Sequence, residues 1–395
     1  MTAALEVAFW ISVGCILYTY AGYPLVLIVL SSLKQVRADW RYLSSGRSRR
    51  ARGGDALPSV AVLVAAYNEE RHIEARIRNL LALDYPPGLL RIYVGSDGSD
   101  DATAQLVEPF VGERVIWRGF TERRGKPSVI NDLAALAGED VLVFTDANTA
   151  FAPETVRNLV RHLDDPRVGC VSGELRLVAA DGTENQDHVY WRYERLLKFF
   201  EGRLNALLGA NGGVYALRRA HYQPIPPNTI VDDFWISIEL VRQGYRCVYD
   251  PEALAYEDVP ARIGDEFRRR VRIGIGNYQA LRRFASLLDP RRGMVALAFF
   301  SHKVLRWLVP HCMVVAAATN LLLALPDAPI YRWLGVVQMA FYALALYGWW
   351  RSRGGLAPAA LRIPLFLVSM NLALLVGFWK YLTGQFTGAW ARTAR

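Results

Sequence analysis

Acidic residues recur in this chain at the ends of short apolar runs, in Asp97-Gly98-Ser99-Asp100-Asp101, in Asp146-Ala147-Asn148 and in Asp232-Asp233. Cationic side chains accompany them at Lys126 and in Arg269-Arg270-Val271-Arg272. Carboxylate and carboxamide oxygens hold hard divalent cations such as Mg or Mn. A cation of that kind, with arginine and lysine, stabilises the negative charge of a departing diphosphate. A further carboxylate, set apart from the cation, can take the proton of an attacking hydroxyl. The order of the motifs therefore implies group transfer from a nucleoside-diphosphate donor to a hydroxyl.

Each acidic position also has a plainer reading. Asp97-Gly98 is a turn pattern and Asp100 or Asp101 can cap a helix from Ala102. Five polar or glycine residues exceed what a turn and a cap require, and Asp97 can accept a hydrogen bond from a base or ribose. Ala66, Tyr67, Asn68 and Glu69 follow the first strand, where side chains and free helix N–H groups would meet the same nucleotide. Asp146 ends an apolar run and offers a hard-cation ligand, or with Asn148 and Thr149 it caps a helix. Asp232-Asp233 precede a helical pattern over 234–243, which either could cap. Two adjacent carboxylates exceed a cap, and their repulsion raises the pKa of one, as suits a general base.

Runs at 59–65, 91–96, 115–117 and 141–145 read as buried parallel strands. Ile73, Ile77, Leu80 and Leu81 mark one helix face, and 128–137 and 153–163 suggest further helices. Ligands of such open sheets bind at the carboxyl ends of the strands, where the motifs fall.

The 395 residues are 52% hydrophobic with a mean hydropathy of +0.13, which indicates a membrane protein with one soluble domain. Residues 7–33 form an uncharged run of 27 residues, longer than the roughly 20 needed to cross a bilayer, and read as a retained anchor. Further spans are expected near 307–325, 330–350 and 363–382, and 294–300 reads as an interfacial helix broken from the next run by Ser301-His302-Lys303. Seven Lys or Arg against one Asp between Lys34 and Arg52 place this linker and the following domain in the cytoplasm, whereas Arg392 and Arg395 sit against that rule. The expected organisation is an anchor (1–33), a basic linker (34–57), a catalytic domain (58–289), the interfacial helix (290–303) and a membrane region (304–395). The net charge of +9 lies largely beside membrane segments, facing anionic lipids, and argues against nucleic-acid binding. Cys15, Cys170, Cys247 and Cys312 are isolated and mark neither a disulfide framework nor a zinc site.

Taken together the motifs resemble the inverting family 2 glycosyltransferases, in the membrane-embedded branch similar to cellulose, hyaluronan and poly-N-acetylglucosamine synthases. The resemblance implies an α/β GT-A catalytic domain flanked by α-helical transmembrane segments, a UDP-sugar donor, Mg or Mn, and a carbohydrate or lipid-linked acceptor. It implies uridine contact by Asp97, metal and diphosphate binding by Asp146, a donor-site role for Lys126 in Gly125-Lys126-Pro127-Ser128, and Asp233 as the base. Gly209-Ala210-Asn211-Gly212-Gly213, otherwise a turn, resembles the small-residue loop beneath the acceptor sugar. Two departures stand out: Asn148 replaces a second carboxylate, and Ile273 replaces the tryptophan that follows the arginine of processive members. Tyr278 or Trp307 is a candidate substitute for that ring. Arg272, with Arg269, would face the diphosphate, or the arginines form a headgroup-binding helix face, since Arg262, Arg268, Arg269 and Arg270 cannot all reach one ligand. Gly274, Gly276 and Asn277 are poor helix formers and predict a bend or gate. The implied activity is polymer or oligosaccharide synthesis at the inner membrane, multi-pass, alone, as a homo-oligomer or with an export partner. Single addition to a lipid-linked acceptor and a non-catalytic nucleotide-binding scaffold are the alternatives.

Overall fold

All seven residues of β1 (Val60–Ala66) are buried, because the strand lies inside its sheet with other elements covering both faces. The computed structural model describes residues 2–45, 56–178, 189–258, 263–325, 328–352 and 358–386. The chain divides into two compact units, one from Met1–Val26, Arg262–Arg282 and Phe299–Phe386, the other containing Leu27–Ala261 and Arg283–Ala298. Arg262, Pro326-Asp327, Arg392, Arg395 and residues 46–55 of the basic linker lie outside the described residues.

At the N-terminus α1 (Thr2–Leu17) passes through a π-helical turn, Tyr18–Gly22, into α2 (Tyr23–Ser45). The second unit is built on one eight-stranded sheet: β1, β2 (Leu90–Asp97), β3 (Val115–Phe120), β4 (Val141–Asp146), β5 (Thr149–Phe151), β6 (Val168–Val178), β7 (Tyr215–Arg218) and β8 (Arg246–Asp258), in the order β3-β2-β1-β4-β7-β6-β8-β5. The four expected strands are parallel neighbours. β3 is an edge strand, so its second half is not buried. The other half of the sheet is mixed, with β7 antiparallel to β4 and β6, β8 parallel to β6, and β5 antiparallel to β8. Cys170 and Cys247 are register partners on β6 and β8, and all four cysteines remain thiols.

Helices α3 (Ile73–Leu81), α4 (Thr103–Val107), α5 (Lys126–Leu136), α6 (Thr155–Val160), α7 (Val189–Arg203) and α8 (Asp232–Arg242) connect these strands. On α3, Ile73, Ile77 and Leu80 are buried at i, i+4 and i+7, while Leu81 is only partly covered. Burying each such side chain stabilises the unit by about 1.5–3 kcal/mol. α5 lies so close to β2 that a Cβ on Gly95 would stand 2.5 Å from Val129 Cγ1. The helix expected over 153–163 is the six-residue α6.

The remaining helices are α9 (Ile263–Phe284), α10 (Met294–Ala298), α11 (Leu305–Ala324), α12 (Pro329–Ser352) and α13 (Ala359–Leu382). Among the described residues three helical stretches are long and apolar enough to cross a membrane: Thr2–Ser44, Met294–Ala324 and Ala360–Leu382. α12, expected as a span, has 24 residues but does not reach that hydropathy, and it exposes Trp333, Val336, Met339, Leu346 and Trp350. The break expected at Ser301-His302-Lys303 falls in a π-helical turn, Phe299–Val304, inside one helical stretch, Met294–Ala324. The turn buries Ser301 and His302 against the N-terminal segment: Tyr18 Oη lies 2.9 Å from Ser301 Oγ, and the His302 ring stands 6.2 Å from that of Tyr23.

α9 runs on as one helix through Gly274. Its glycine instead permits a close helix crossing, since a Cβ on Gly377 of α13 would meet Val271 O at 2.9 Å and Gly274 Cα at 3.1 Å. Tyr278 and Trp307, the candidate sugar platforms, are each 4% exposed, with Tyr278 Oη donating to Trp307 O at 2.7 Å. Their rings are packing elements of this unit.

Candidate active site

Sheet register assembles the site from strand ends. Ala66 stands beside Ser96, and Asp146 beside Ala65, so the loops after β1, β2 and β4 open on one edge. The loop after β1 is zipped to the loop after β2: Asn68 N donates to Ser99 Oγ at 3.0 Å, Glu69 N to Thr103 Oγ1 at 2.9 Å and Glu70 N to Asp101 Oδ2 at 3.1 Å. These N–H groups were expected to meet the nucleotide; they are spent on the neighbouring loop. Asn68 also adopts a left-handed backbone (φ 54) and donates from Nδ2 to Asp100 Oδ1 at 2.6 Å. Asp101 Oδ1 accepts from Thr103 N at 2.9 Å, an Asx turn just ahead of α4, whose N-cap position is Ala102.

Asp97 is fully buried and accepts from Arg124 N at 2.7 Å and Gly125 N at 2.8 Å. It thereby fixes the turn, with Gly125 at φ 90, that starts α5 at Lys126. Lys126 Nζ donates to Asp146 Oδ1 at 2.7 Å and stands 3.2 Å from Asp232 Oδ2. Burial opposes its charge, yet Asp146 and Asp232 outweigh burial and hold the ammonium above its ordinary range. Asp232 and Asp233 are the first residues of α8, not caps before it, and Asp233 Oδ1 accepts from Phe234 N at 2.8 Å. Burial, then repulsion from Asp232, pushes the Asp233 carboxyl up to about 6, against the pull of Lys126.

The loop 209–213 packs on this helix start. Ala210 N donates to Ser237 Oγ at 3.1 Å, and Ser237 Oγ donates to Asp233 O at 2.6 Å. A Cβ on Gly212 would come within 2.8 Å of Asp233 Oδ2, and one on Gly209, at φ 94, within 2.7 Å of the Phe234 ring. Asn211 is held by its N–H to Ser172 Oγ (3.0 Å), by Nδ2 to Gly173 O (2.5 Å) and by Lys198 Nζ. The structure thus brings Lys126, Asp146, Asp232, Asp233 and the glycine loop together.

Arg269 and Arg272 are on α9, in the other unit; Arg269 and Arg270 pair with Glu266 at 2.8 Å and 2.6 Å, and Arg272 is exposed. Several participants escape local reading. The Arg123 guanidinium lies 3.9 Å over the Tyr67 ring. Arg76 is buried on α3, donating to Asn79 Oδ1 at 2.6 Å and to Thr145 Oγ1 at 2.7 Å, and burial pushes it down to about 9 while Asp146 opposes that shift. An arginine within the apolar face of residues 73, 77 and 80 is a signal open to inspection of the sequence. The Tyr215 hydroxyl has none: it is buried without a hydrogen-bond partner, its ring stacked 4.6 Å from Phe144, and burial with nearby Asp232 pushes the phenol up.

Among the described residues no group of three or more His, Cys, Asp or Glu side chains forms a metal cage. Asp146 with the Asn148 carboxamide fits instead a Mg- or Mn-type cation, which takes one or two protein oxygens and fills its shell from substrate phosphate and water.

Residues 61–222, which include Asp97, Lys126, Asp146 and the glycine loop, match the model of glycosyl transferase family 2. The chain carries a family 2 glycosyltransferase domain. Over 261 residues the chain is 28% identical to the poly-beta-1,6-N-acetyl-D-glucosamine synthase of Staphylococcus aureus (strain COL), covering 62% of this chain and 61% of that protein. Over 237 residues it is 26% identical to an N-acetylglucosaminyltransferase of Rhizobium sp. (strain N33), covering 56% and 53%. The chain thus spans about 61% and 53% of the length of these curated relatives. Its fold is similar to that of a mannosyltransferase from Pyrobaculum calidifontis determined with GDP-Man and Mn2+, at a TM-score of 0.71 and 23% identity, covering 97% of this chain and all of that one. The mixed sheet of the glycosyltransferase domain is accordingly GT-A-like.

Proposed function

We propose that the protein transfers a sugar from a UDP-sugar to an acceptor hydroxyl with inversion, at a membrane, and that its product is an oligosaccharide or polysaccharide. The observation that carries this reading is Asp233: a carboxyl with a pKa near 6, backed by Gly212 and adjoining the Lys126–Asp146 pair. Near neutral pH such a group is ionised yet basic enough to take a proton. In one displacement the acceptor oxygen bonds to the anomeric carbon as the bond to the diphosphate breaks; the proton passes to Asp233 and the electron pair leaves with the diphosphate. Lys126 supplies positive charge on the donor side. A divalent cation bound at Asp146 and Asn148 would add Lewis-acid stabilisation of the leaving group. Asp97 sets the position of Lys126 through the turn it holds. The exposed apolar helices and the relative named as a polysaccharide synthase support membrane location and polymer formation.

The test is incubation of the reconstituted protein with labelled UDP- and GDP-sugars, followed by sizing of the product. Consumption of a UDP-sugar with several additions per acceptor is expected. Use of GDP-sugars alone overturns the donor assignment, one addition per acceptor under excess donor overturns polymer formation, and nucleotide binding without transfer leaves only a scaffold.

A further inference from the structure

The third position of the acidic motif is a carboxamide, and the tertiary structure brings a carboxylate to it. β5 pairs with β8 so that Thr149 stands opposite Glu257. Asn148 Nδ2 donates to Glu257 Oε1 at 3.2 Å, across 109 residues of sequence. With the amide nitrogen directed at Glu257, the carbonyl oxygen is turned to the other side, where it can face a ligand. Asn148, Glu257 and Asp258 line one cavity of about 530 Å³ together with His72, Arg76 and Thr149.

The charges around Asp146 point the same way. Lys126 sits at 2.7 Å on one of its oxygens, and the buried Arg76 interacts with it electrostatically. Its negative charge is therefore partly offset by two cationic side chains, so a divalent cation bound there gains from a further anionic partner. Arg76 is held within the wall, over the Phe151 ring at 4.2 Å and bonded to Asn79 and Thr145. Glu257 and Asp258 keep the cavity acidic despite it.

We propose that Asn148 and Glu257 together replace the second carboxylate of the metal motif, Asn148 presenting an oriented oxygen and Glu257 the charge. This rests on the donor-site reading above. Partners of this kind orient ligands and tune affinity, and losing one weakens metal binding about 10–100-fold.

The experiment is an EPR titration of Mn2+ into the full-length protein with UDP present, alongside calorimetry of UDP without metal. Glu257→Gln is expected to weaken Mn2+ binding about 10–100-fold and to leave metal-free UDP affinity unchanged. The double variant Asn148→Asp/Glu257→Gln, which moves the charge across the hydrogen bond, is expected to restore Mn2+ affinity. Wild-type Mn2+ affinity in Glu257→Gln, or a double variant as weak as the single one, overturns the proposal. Asp146→Ala in parallel separates the two levels. If it loses the metal response while Glu257→Gln keeps it, only this inference falls; if it keeps the response, the donor-site reading falls.

Discussion

Asp233 concentrates the chemistry of this site in one carboxyl. Asp233→Asn preserves shape but cannot take a proton, so transfer is expected to fall by about 10²–10⁴-fold with UDP affinity nearly intact. Activity within tenfold of wild type, measured by donor turnover, removes the base assignment. Because the native pKa is near 6 and the ordinary value is 3.8, the folded state favours the protonated form. That contribution to stability is full below about pH 4 and is lost as pH rises through about 6. Asp233→Asn should therefore raise the thermal midpoint at pH 7, and the gain should vanish near pH 4, while wild-type turnover falls on acidification through pH 6. Gly212→Ala tests the same atom from the other side. A Cβ 2.8 Å from Asp233 Oδ2 must displace the carboxylate, with an expected loss of about 10²-fold in kcat at unchanged UDP affinity.

At the scale of elements, the parallel half of the sheet depends on close seating of α5 against β2. Gly95→Ala places a methyl 2.5 Å from Val129 Cγ1 and is expected to destabilise the unit by about 1–3 kcal/mol, read as a lower thermal midpoint in detergent. Since α5 begins at Lys126, the same variant should weaken UDP binding; full stability with full binding contradicts this coupling. The first strands and α3 were legible because continuous apolar runs and the i, i+4, i+7 face are local signals. The mixed half was not, because β5, β7 and β8 depend on pairing partners far along the chain. Likewise, Gly274 reads as a helix breaker locally, whereas contact with α13 turns its missing side chain into packing.

For the whole molecule, hydropathy separates α12 from the three more apolar stretches. If α12 spans, reporter fusions on either side of it, after Pro326 and after Gly355, fall on opposite sides of the bilayer, with the Gly355 fusion cytoplasmic beside Arg351 and Arg353. Reporters on the same side would leave α12 at the surface of the bilayer, where its tyrosines and tryptophans also fit.

The inventory is legible in the chain alone: acidic residues at strand ends, a basic turn before a helix, a glycine loop and long apolar runs. Those are properties of composition and spacing, readable without a partner. Only the tertiary structure decided that Lys126 joins Asp146 to Asp232, that Gly212 makes room for Asp233, and that Glu257 reaches Asn148. It also buries Asp97 with both carboxylate oxygens on the 124–125 backbone. Burial and electrostatic coupling depend on distances between residues remote in the chain, and sheet register, absent from any local pattern, sets those distances.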